Sequence, residues 1–133
     1  MVIVYPLLPE HIERLLKGKN VFCKYVGERP PNVAIGGKLI FYQSGGGKCL
    51  VGVATVDRIE LLTPDLVVKE FGDGLFITPA ELDKYRGDRP KSKKLLVLHL
   101  SQIRRYETPL KSPKVVTMAG CTLSKDQYRK LMR

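Results

Sequence analysis

GGKLIFYQSGGGKCLVGVATVDRIEL (residues 36–61) holds two runs of strand-forming residues on either side of three consecutive glycines. β-Branched and aromatic residues dominate both runs, as is typical of paired strands. Gly45, Gly46 and Gly47 fall where a tight turn needs positive φ, which glycine reaches without a Cβ clash. This stretch therefore predicts a β-hairpin formed by residues 38–44 and 48–61.

The glycines followed by Lys48 also invite comparison with a phosphate-binding P-loop. That motif reads G-x-x-x-x-G-K-[ST] and opens a helix, whose N-terminus helps to hold the phosphates. Here Tyr42 stands in the place of the first glycine, Cys49 replaces the hydroxyl residue, and a strand pattern follows. We therefore expect this turn to join two strands and to bind no phosphate.

Short strands and short helices alternate along the rest of the chain. Strand patterns cover residues 2–5, 20–26, 93–103 (the longest) and 114–118, and helix patterns cover 9–18, a segment beginning at 78, and 124–133. Thr78 and Ser124 are each followed three residues later by Glu or Gln, which is the capping-box spacing. Few of these elements stand in βαβ order. The pattern predicts an α+β fold, a small mixed β-barrel with short helices packed at its ends, in one domain spanning residues 1–133. Closing the barrel would remove exposed strand edges.

Charge is the most informative bulk property of the chain. There are 23 Lys and Arg residues against 13 Asp and Glu, which gives a net charge of +10. Residues 1–66 hold 8 basic and 6 acidic side chains, and residues 67–133 hold 15 and 7, so the two halves carry +2 and +8. A basic surface of this size attracts polyanions, and nucleic acid is the commonest of these in the cytosol.

Two basic motifs concentrate this charge. KYRGDRPKSKK (84–94) contains six basic residues and one acidic residue, and it predicts either a phosphate-contacting loop or a solvated one. RRYETP (104–109) places two arginines beside Tyr106 and could supply both charge and a stacking plane. The alternative is an arginine paired with Glu107 and a tyrosine that closes the end of the barrel.

The inventory for catalysis or metal binding is thin. The only histidines, His11 and His99, are isolated, and the three cysteines are scattered without C-x-x-C spacing. Cys23 beside Lys24 would have a lowered thiol pKa if it were exposed. We therefore expect free thiols, no metal and no cofactor. No apolar run approaches the ~20 residues of a membrane helix, and no signal-peptide pattern is present, so we expect a cytoplasmic protein without membrane contact.

Several of these motifs together resemble the PUA-like superfamily, which includes PUA, ASCH and EVE domains. LLKGKN precedes a strand, the glycine-turned hairpin leads from Tyr42 into VGVATV, and a later strand ends in Tyr106 and Pro109. The pattern is most similar to that of a small archaeal group of uncharacterised PUA-like proteins. The resemblance implies a pseudobarrel with a cleft beside the first helix that holds RNA or a single modified or flipped nucleobase.

The ASCH signature G-x-K-x-x-E-x-R is only partly present. From Gly18 the chain reads G-K-N-V-F-C-K-Y, so Lys19 comes one position early, Cys23 replaces the glutamate and Tyr25 replaces the arginine. The resemblance therefore carries the fold rather than the amidohydrolase chemistry of some ASCH enzymes.

Charge, motifs and resemblance together predict a non-catalytic nucleic-acid-binding domain whose partner is RNA or a modified or flipped nucleobase. The residues predicted to hold phosphates are Lys17, Lys19, Lys24, Arg104 and Arg105. The ring predicted to stack a base is that of Tyr25, Tyr42 or Tyr106. One alternative is a small hydrolase or nuclease acting on a modified nucleoside or RNA, with Lys19 or Lys24 and a carboxylate such as Glu28. Another is a ribosome- or protein-associated structural module that uses the same basic face.

Overall fold

One curled six-stranded sheet organises the computed structural model, which describes residues 2–27 and 33–132. The strands are β1 (Val2–Leu7), β2 (Val21–Lys24), β3 (Lys38–Gln43), β4 (Leu50–Leu62), β5 (Leu95–Leu110) and β6 (Cys121–Leu123). The helices are α1 (Pro9–Leu16), α2 (Pro64–Phe71), α3 (Pro79–Arg86) and α4 (Lys125–Leu131). Strand order is β2-β5-β4-β3-β1-β6, and every pairing is antiparallel except that of β1 with β3. The predicted α+β pseudobarrel is confirmed.

The predicted hairpin is β3 and β4. These strands run antiparallel and are joined by a turn in which Gly45, Gly46 and Gly47 all have positive φ. The Gln43 amide donates to the carbonyl of Cys49 at 2.9 Å and closes the turn. No helix follows these glycines, so their amides lack the aligned dipole that a P-loop uses.

Both capping boxes are confirmed. In α3 the Glu81 amide donates to the Thr78 hydroxyl at 3.1 Å, and the Thr78 amide donates to the Glu81 carboxylate at 2.7 Å. In α4 the same reciprocal pair joins Ser124 and Gln127. These bonds satisfy amides at the helix start that have no partner within the helix.

Three features differ from the sequence prediction. Residues 114–118 form no strand: Val115 and Met118 are exposed, and the last strand is β6 instead. α2 was not predicted, because the two valines of PDLVVKEF resemble a strand, although Pro64 suits a first helical turn. The barrel is not closed, since β2 and β6 do not pair with each other within the described residues and remain edges of the sheet.

The sheet separates two apolar clusters because alternate residues of each strand face opposite sides. On β1, Ile3, Tyr5 and Leu7 join the larger cluster, which also receives the buried face of α1 and α3. Val2 and Val4 join the smaller cluster, against which α4 packs. The larger cluster therefore supports the helices that border the cleft described below. Among the described residues, no helix combines the length and apolarity needed to cross a bilayer.

We predict that Gly120→Ala lowers the free energy of unfolding by about 2–4 kcal/mol. Gly120 has φ +78°, and a Cβ there would lie 2.4 Å from the carbonyl oxygen of Val4 and 2.5 Å from the ring of Tyr5. Gly45→Ala is the matched control, because Gly45 has φ +79° but open space around it. Urea denaturation should show a loss of only about 1 kcal/mol for the control. Equal losses would contradict the steric argument.

Candidate functional site

A cleft of about 550 Å³ opens between α1, α3 and the end of β2. One wall is apolar and includes Leu7, Leu8 and Ile77. Pockets of this size and composition commonly hold small organic ligands, with a few polar groups to set their orientation. The cleft lies beside the first helix, as the resemblance implied.

A row of aromatic rings runs along the inner side of the cleft. The rings of Tyr5 and Phe22 are stacked with their centroids 5.5 Å apart, and the ring centroids of Phe22 and Phe76 are 5.0 Å apart. The His11 ring meets Phe76 edge-on at 5.3 Å. Phe22, Phe76 and His11 all line the cleft, so a flat ligand entering it meets an aromatic surface.

Glu81 is the fixed anion of the cleft. Arg14 donates to its two oxygens at 2.5 and 3.3 Å, and the Thr78 amide donates to it at 2.7 Å. The Arg14 hydrogen bond, and then that of Thr78, lower the pKa of Glu81 to about 2. At neutral pH Glu81 is therefore a carboxylate held in one orientation, able to accept a hydrogen bond from a ligand.

The His11 side chain faces this carboxylate but forms no hydrogen bond with it. Its Nε2 lies 3.5 Å from a Glu81 oxygen and is buried with no hydrogen-bond partner in the described structure. Buried polar atoms normally have partners, and those that lack one often mark a place for a ligand or a water molecule. His11 and Glu81 thus present two adjacent polar groups to the cleft.

A second hollow, the side recess, adjoins the cleft and shares Lys24, Tyr85 and Met118 with it. It measures about 350 Å³ and is also lined by Tyr5, Tyr25 and Arg89. The Arg89 guanidinium lies 4.6 Å from the centre of the Tyr25 ring and 5.4 Å from that of Tyr85. Burial, and then the charge of Arg89, lower the pKa of Lys24.

The basic segment, residues 84–94, begins in α3 and continues past the cleft. It is tied down by its own arginines: Arg89 donates to the carbonyl of Tyr85 at 2.7 Å, and Arg86 donates to that of Arg89 at 2.7 Å. Its four lysines, Lys84, Lys91, Lys93 and Lys94, are exposed. Because Lys84 lines the cleft and Lys93 lies 5.9 Å from the Tyr25 ring, the segment brings positive charge to both hollows.

Comparison with known proteins agrees with this architecture. Residues 1–125 match a protein family described as a domain of unknown function, DUF365. The chain belongs to the DUF365 family. It is 26% identical over 105 residues to an uncharacterised protein, MJECS03, of Methanocaldococcus jannaschii, a match that covers 72% of this chain and 97% of that protein.

Two solved structures share the fold of this DUF365 protein. ASCH from Zymomonas mobilis superposes with a TM-score of 0.82 at 18% identity, over 98% of this chain and 92% of that one. The N-terminal domain of McrB from Staphylothermus marinus superposes with a TM-score of 0.53 at 17% identity, over 83% and 75%. At these identities the likeness concerns the fold alone, and it confirms the PUA-like architecture predicted from the sequence.

The residues predicted to contact nucleic acid lie in separate parts of the DUF365 protein. Lys24 lines both hollows and Tyr25 lines the side recess. Lys17 is exposed just after α1, and Lys19 donates to the carbonyl of Asp73 at 2.5 Å. Neither Lys17 nor Lys19 lines the cleft. A phosphate contact by these two lysines stays a prediction.

Of the remaining predicted residues, Tyr42, Arg104 and Tyr106 lie around the smaller cluster, whereas Arg105 lies on the side of the sheet that carries α1. Tyr106 is buried in the smaller cluster, and burial raises its pKa to about 12, whereas Tyr42 packs against the cluster and is partly exposed. Arg104 lies 5.7 Å from the Tyr106 ring, and Arg105 pairs with Glu13 of α1. The burial of Tyr106 agrees with the alternative interpretation of RRYETP, but the arginine partner is Glu13 and not Glu107, and nucleic-acid contacts by this group remain predictions.

The structure does not bring the candidate catalytic groups Cys23 and His99 into one site. Cys23 is buried, which raises its thiol pKa to about 12, so the lowered pKa expected of an exposed cysteine does not occur. His99 lies 3.1 Å from Glu60 and lines a separate hollow beside α2, not the cleft. Glu28 lies outside the described residues. Within residues 2–27 and 33–132, no group of His, Cys, Asp and Glu side chains is placed to hold a metal ion.

Proposed function

We propose that this DUF365 protein binds RNA and holds one flipped or modified nucleobase in the cleft without transforming it. The observation that supports this most directly is the aromatic-lined cleft with an unpartnered His11 Nε2 next to the Glu81 carboxylate, beside a basic segment. Single-stranded RNA is commonly recognised by splaying out a base, stacking it on aromatic rings and hydrogen-bonding its edge.

Each part of the cleft has a distinct part in this proposal. Phe22 and Phe76 provide the aromatic surface against which the base lies. Glu81 accepts a hydrogen bond from an exocyclic amino group, since a carboxylate has acceptor capacity only. His11 Nε2 pairs with a neighbouring atom on the same edge of the base. The basic segment contacts the phosphates on either side of the base, which adds affinity without reading sequence.

Two pKa values argue against hydrolysis by the described residues. Glu81, with a pKa of about 2, is a weak base at neutral pH, where a general base works best with a pKa near the working pH. Cys23, with a pKa of about 12, is a buried thiol and not a nucleophile. Among the described residues, the hydrolase alternative retains Lys24, whose pKa is lowered by burial and then by the charge of Arg89.

A nucleoside panel tests the proposal directly. Crystals are soaked with the four ribonucleosides and a set of their modified forms, and the same compounds are incubated with the protein and followed by chromatography. Base density in the cleft without conversion supports binding alone. Conversion of any compound would establish the hydrolase instead, and absence of both would favour the structural module.

We also predict that Leu8→Glu weakens binding of single-stranded RNA by about tenfold, or about 1.4 kcal/mol. Leu8 is 44% exposed and lines the cleft, so a carboxylate there repels the incoming phosphates. Leu66→Glu is the control, because Leu66 is 40% exposed, lies on α2 and does not line the cleft. Fluorescence titration should show a change of less than about threefold for the control, given only a distant charge. Equal weakening by both would place the RNA elsewhere.

A further inference from the structure

The side recess offers hydrogen-bond donors whose partners are missing. The hydroxyl groups of Tyr5 and Tyr25 are buried and have no hydrogen-bond partner in the described part of the chain. Tyr5 is 1% exposed and Tyr25 is 7% exposed, and both line the recess. Leaving a buried hydroxyl without a partner costs free energy, so a hydrogen-bonding ligand beside these two residues would offset that cost.

The same recess holds two cations without a matching acid. Lys24 and Arg89 line it, and within residues 2–27 and 33–132 no Asp or Glu lines it and neither cation forms an ion pair. One Arg89 nitrogen, Nη1, donates to backbone carbonyls. Burial, and then the charge of Arg89, lower the pKa of Lys24, so two cations at this place are unfavourable without an anion between them.

We propose that the side recess binds a phosphate group attached to the nucleotide whose base occupies the cleft. Two cations and two hydroxyl groups match the oxygen acceptors of a phosphate, and a guanidinium has N–H donors besides the Nη1 that Arg89 uses for backbone carbonyls. Lys24 and Tyr85 border both hollows, so a base and its own phosphate can occupy them together. The preferred ligand is therefore a nucleotide rather than a nucleoside.

The proposal rests on the proposed function for the base but has its own test. Each of the four ribonucleosides is titrated against its 5′-monophosphate, and inorganic phosphate is titrated alone, with NMR chemical shifts as the readout. We expect the monophosphates to bind at least about tenfold more tightly, which is the effect of one good charge-assisted contact. Equal affinity for both members of each pair would overturn the phosphate site and leave the base cleft intact.

Removing the two hydroxyl groups tests the recess without changing the cleft. Tyr5→Phe/Tyr25→Phe should abolish most of the preference for monophosphates, leave nucleoside affinity unchanged, and keep or raise the melting temperature, since it deletes unpartnered polar atoms. Tyr106→Phe is the matched control, because its hydroxyl is also buried and unpartnered but lies in the smaller cluster. Arg89→Lys, which keeps the charge but loses the planar fork, should reduce the preference as well. An unchanged preference in both recess variants would refute the site.

Two further outcomes separate the proposals and the source of the phosphate. If inorganic phosphate shifts the recess signals while no nucleoside or nucleotide binds the cleft, the recess stands and the proposed function fails. If neither phosphate nor monophosphates perturb the recess, the inference fails. Comparison of a monophosphate with a dinucleotide joined by a phosphodiester shows whether the recess selects a free nucleotide or the backbone of a strand.

Discussion

Single-stranded RNA should bind about 10²–10³-fold more weakly at about 50 mM salt once the four exposed lysines of the basic segment are replaced by glutamine. The variant is Lys84→Gln/Lys91→Gln/Lys93→Gln/Lys94→Gln. Each phosphate contact contributes about −0.7 to the slope of log affinity against log salt, so four contacts account for about −3. Fluorescence anisotropy at several salt concentrations measures both the loss and the flattening of the slope.

The chain offers a control of identical charge. Lys111, Lys125, Arg129 and Lys130 are also exposed and also lie in the second half, but they are not part of the basic segment. Replacing all four with glutamine removes the same charge from another surface. This control should keep most of the affinity, since exposed charges beyond about 10 Å are largely screened at 0.1 M salt. Equal losses in the two variants would mean diffuse attraction and no defined path for the RNA.

Glu81→Ala should lower the free energy of unfolding at neutral pH by about 2–3 kcal/mol. The substitution removes both Arg14 hydrogen bonds and the reciprocal cap with Thr78. The Glu81 side chain is 35% exposed. Because solvent screens its charge, the loss of stability should be smaller than the free energy that corresponds to the whole pKa shift. Asp83→Ala is the control in the same helix, because Asp83 makes one long, exposed contact with Arg86 at 3.6 Å and should change stability by less than about 0.5 kcal/mol.

The loss at Glu81 should also depend on pH. Its pKa falls from 4.5 to about 2 on folding, so the folded protein binds the proton less readily than the unfolded chain. The stabilisation is therefore complete above pH 4.5 and fades as the pH falls toward 2. Denaturation of wild type and Glu81→Ala at neutral pH and at about pH 3 should show the difference between them shrinking. A constant difference would contradict the role of the carboxylate charge.

Local patterns predicted most of the fold because each depends on a few neighbouring residues. The glycine turn, the two capping boxes and the long β5 were all recognisable in this way. The strand predicted at residues 114–118 was wrong, because β-propensity reflects how well a residue packs against neighbouring strands. In the described structure no strand lies beside these residues. The open barrel could not be foreseen, since closure depends on the relative placement of β2 and β6, which are distant in the chain.

The candidate site was only partly predictable for the same reason. Lys24 was identified from charge, and the basic segment from composition. His11, Phe76 and Glu81 belong to different elements, and only folding brings them to one cleft. Glu81 was recognised for its cap alone, because the sequence gives no sign that Arg14, in another helix, shares the same carboxylate. For Tyr106 the sequence left two interpretations open, a stacking ring and a ring that closes the end of the barrel, and the structure buries the side chain.

The open sheet raises the question of what prevents other chains from adding to it. β2 and β6 are four and three residues long, too short to template a further strand. β5 has a longer exposed edge to which another strand could add. β2 pairs only with Leu96–His99, so residues 101–110 have no strand on that side among the described residues. This half carries charged side chains, Pro109 and shifts in register, which are the features that natural sheets use against edge-to-edge aggregation. The charged side chains and the proline of RRYETP therefore disfavour the addition of another strand along this part of β5.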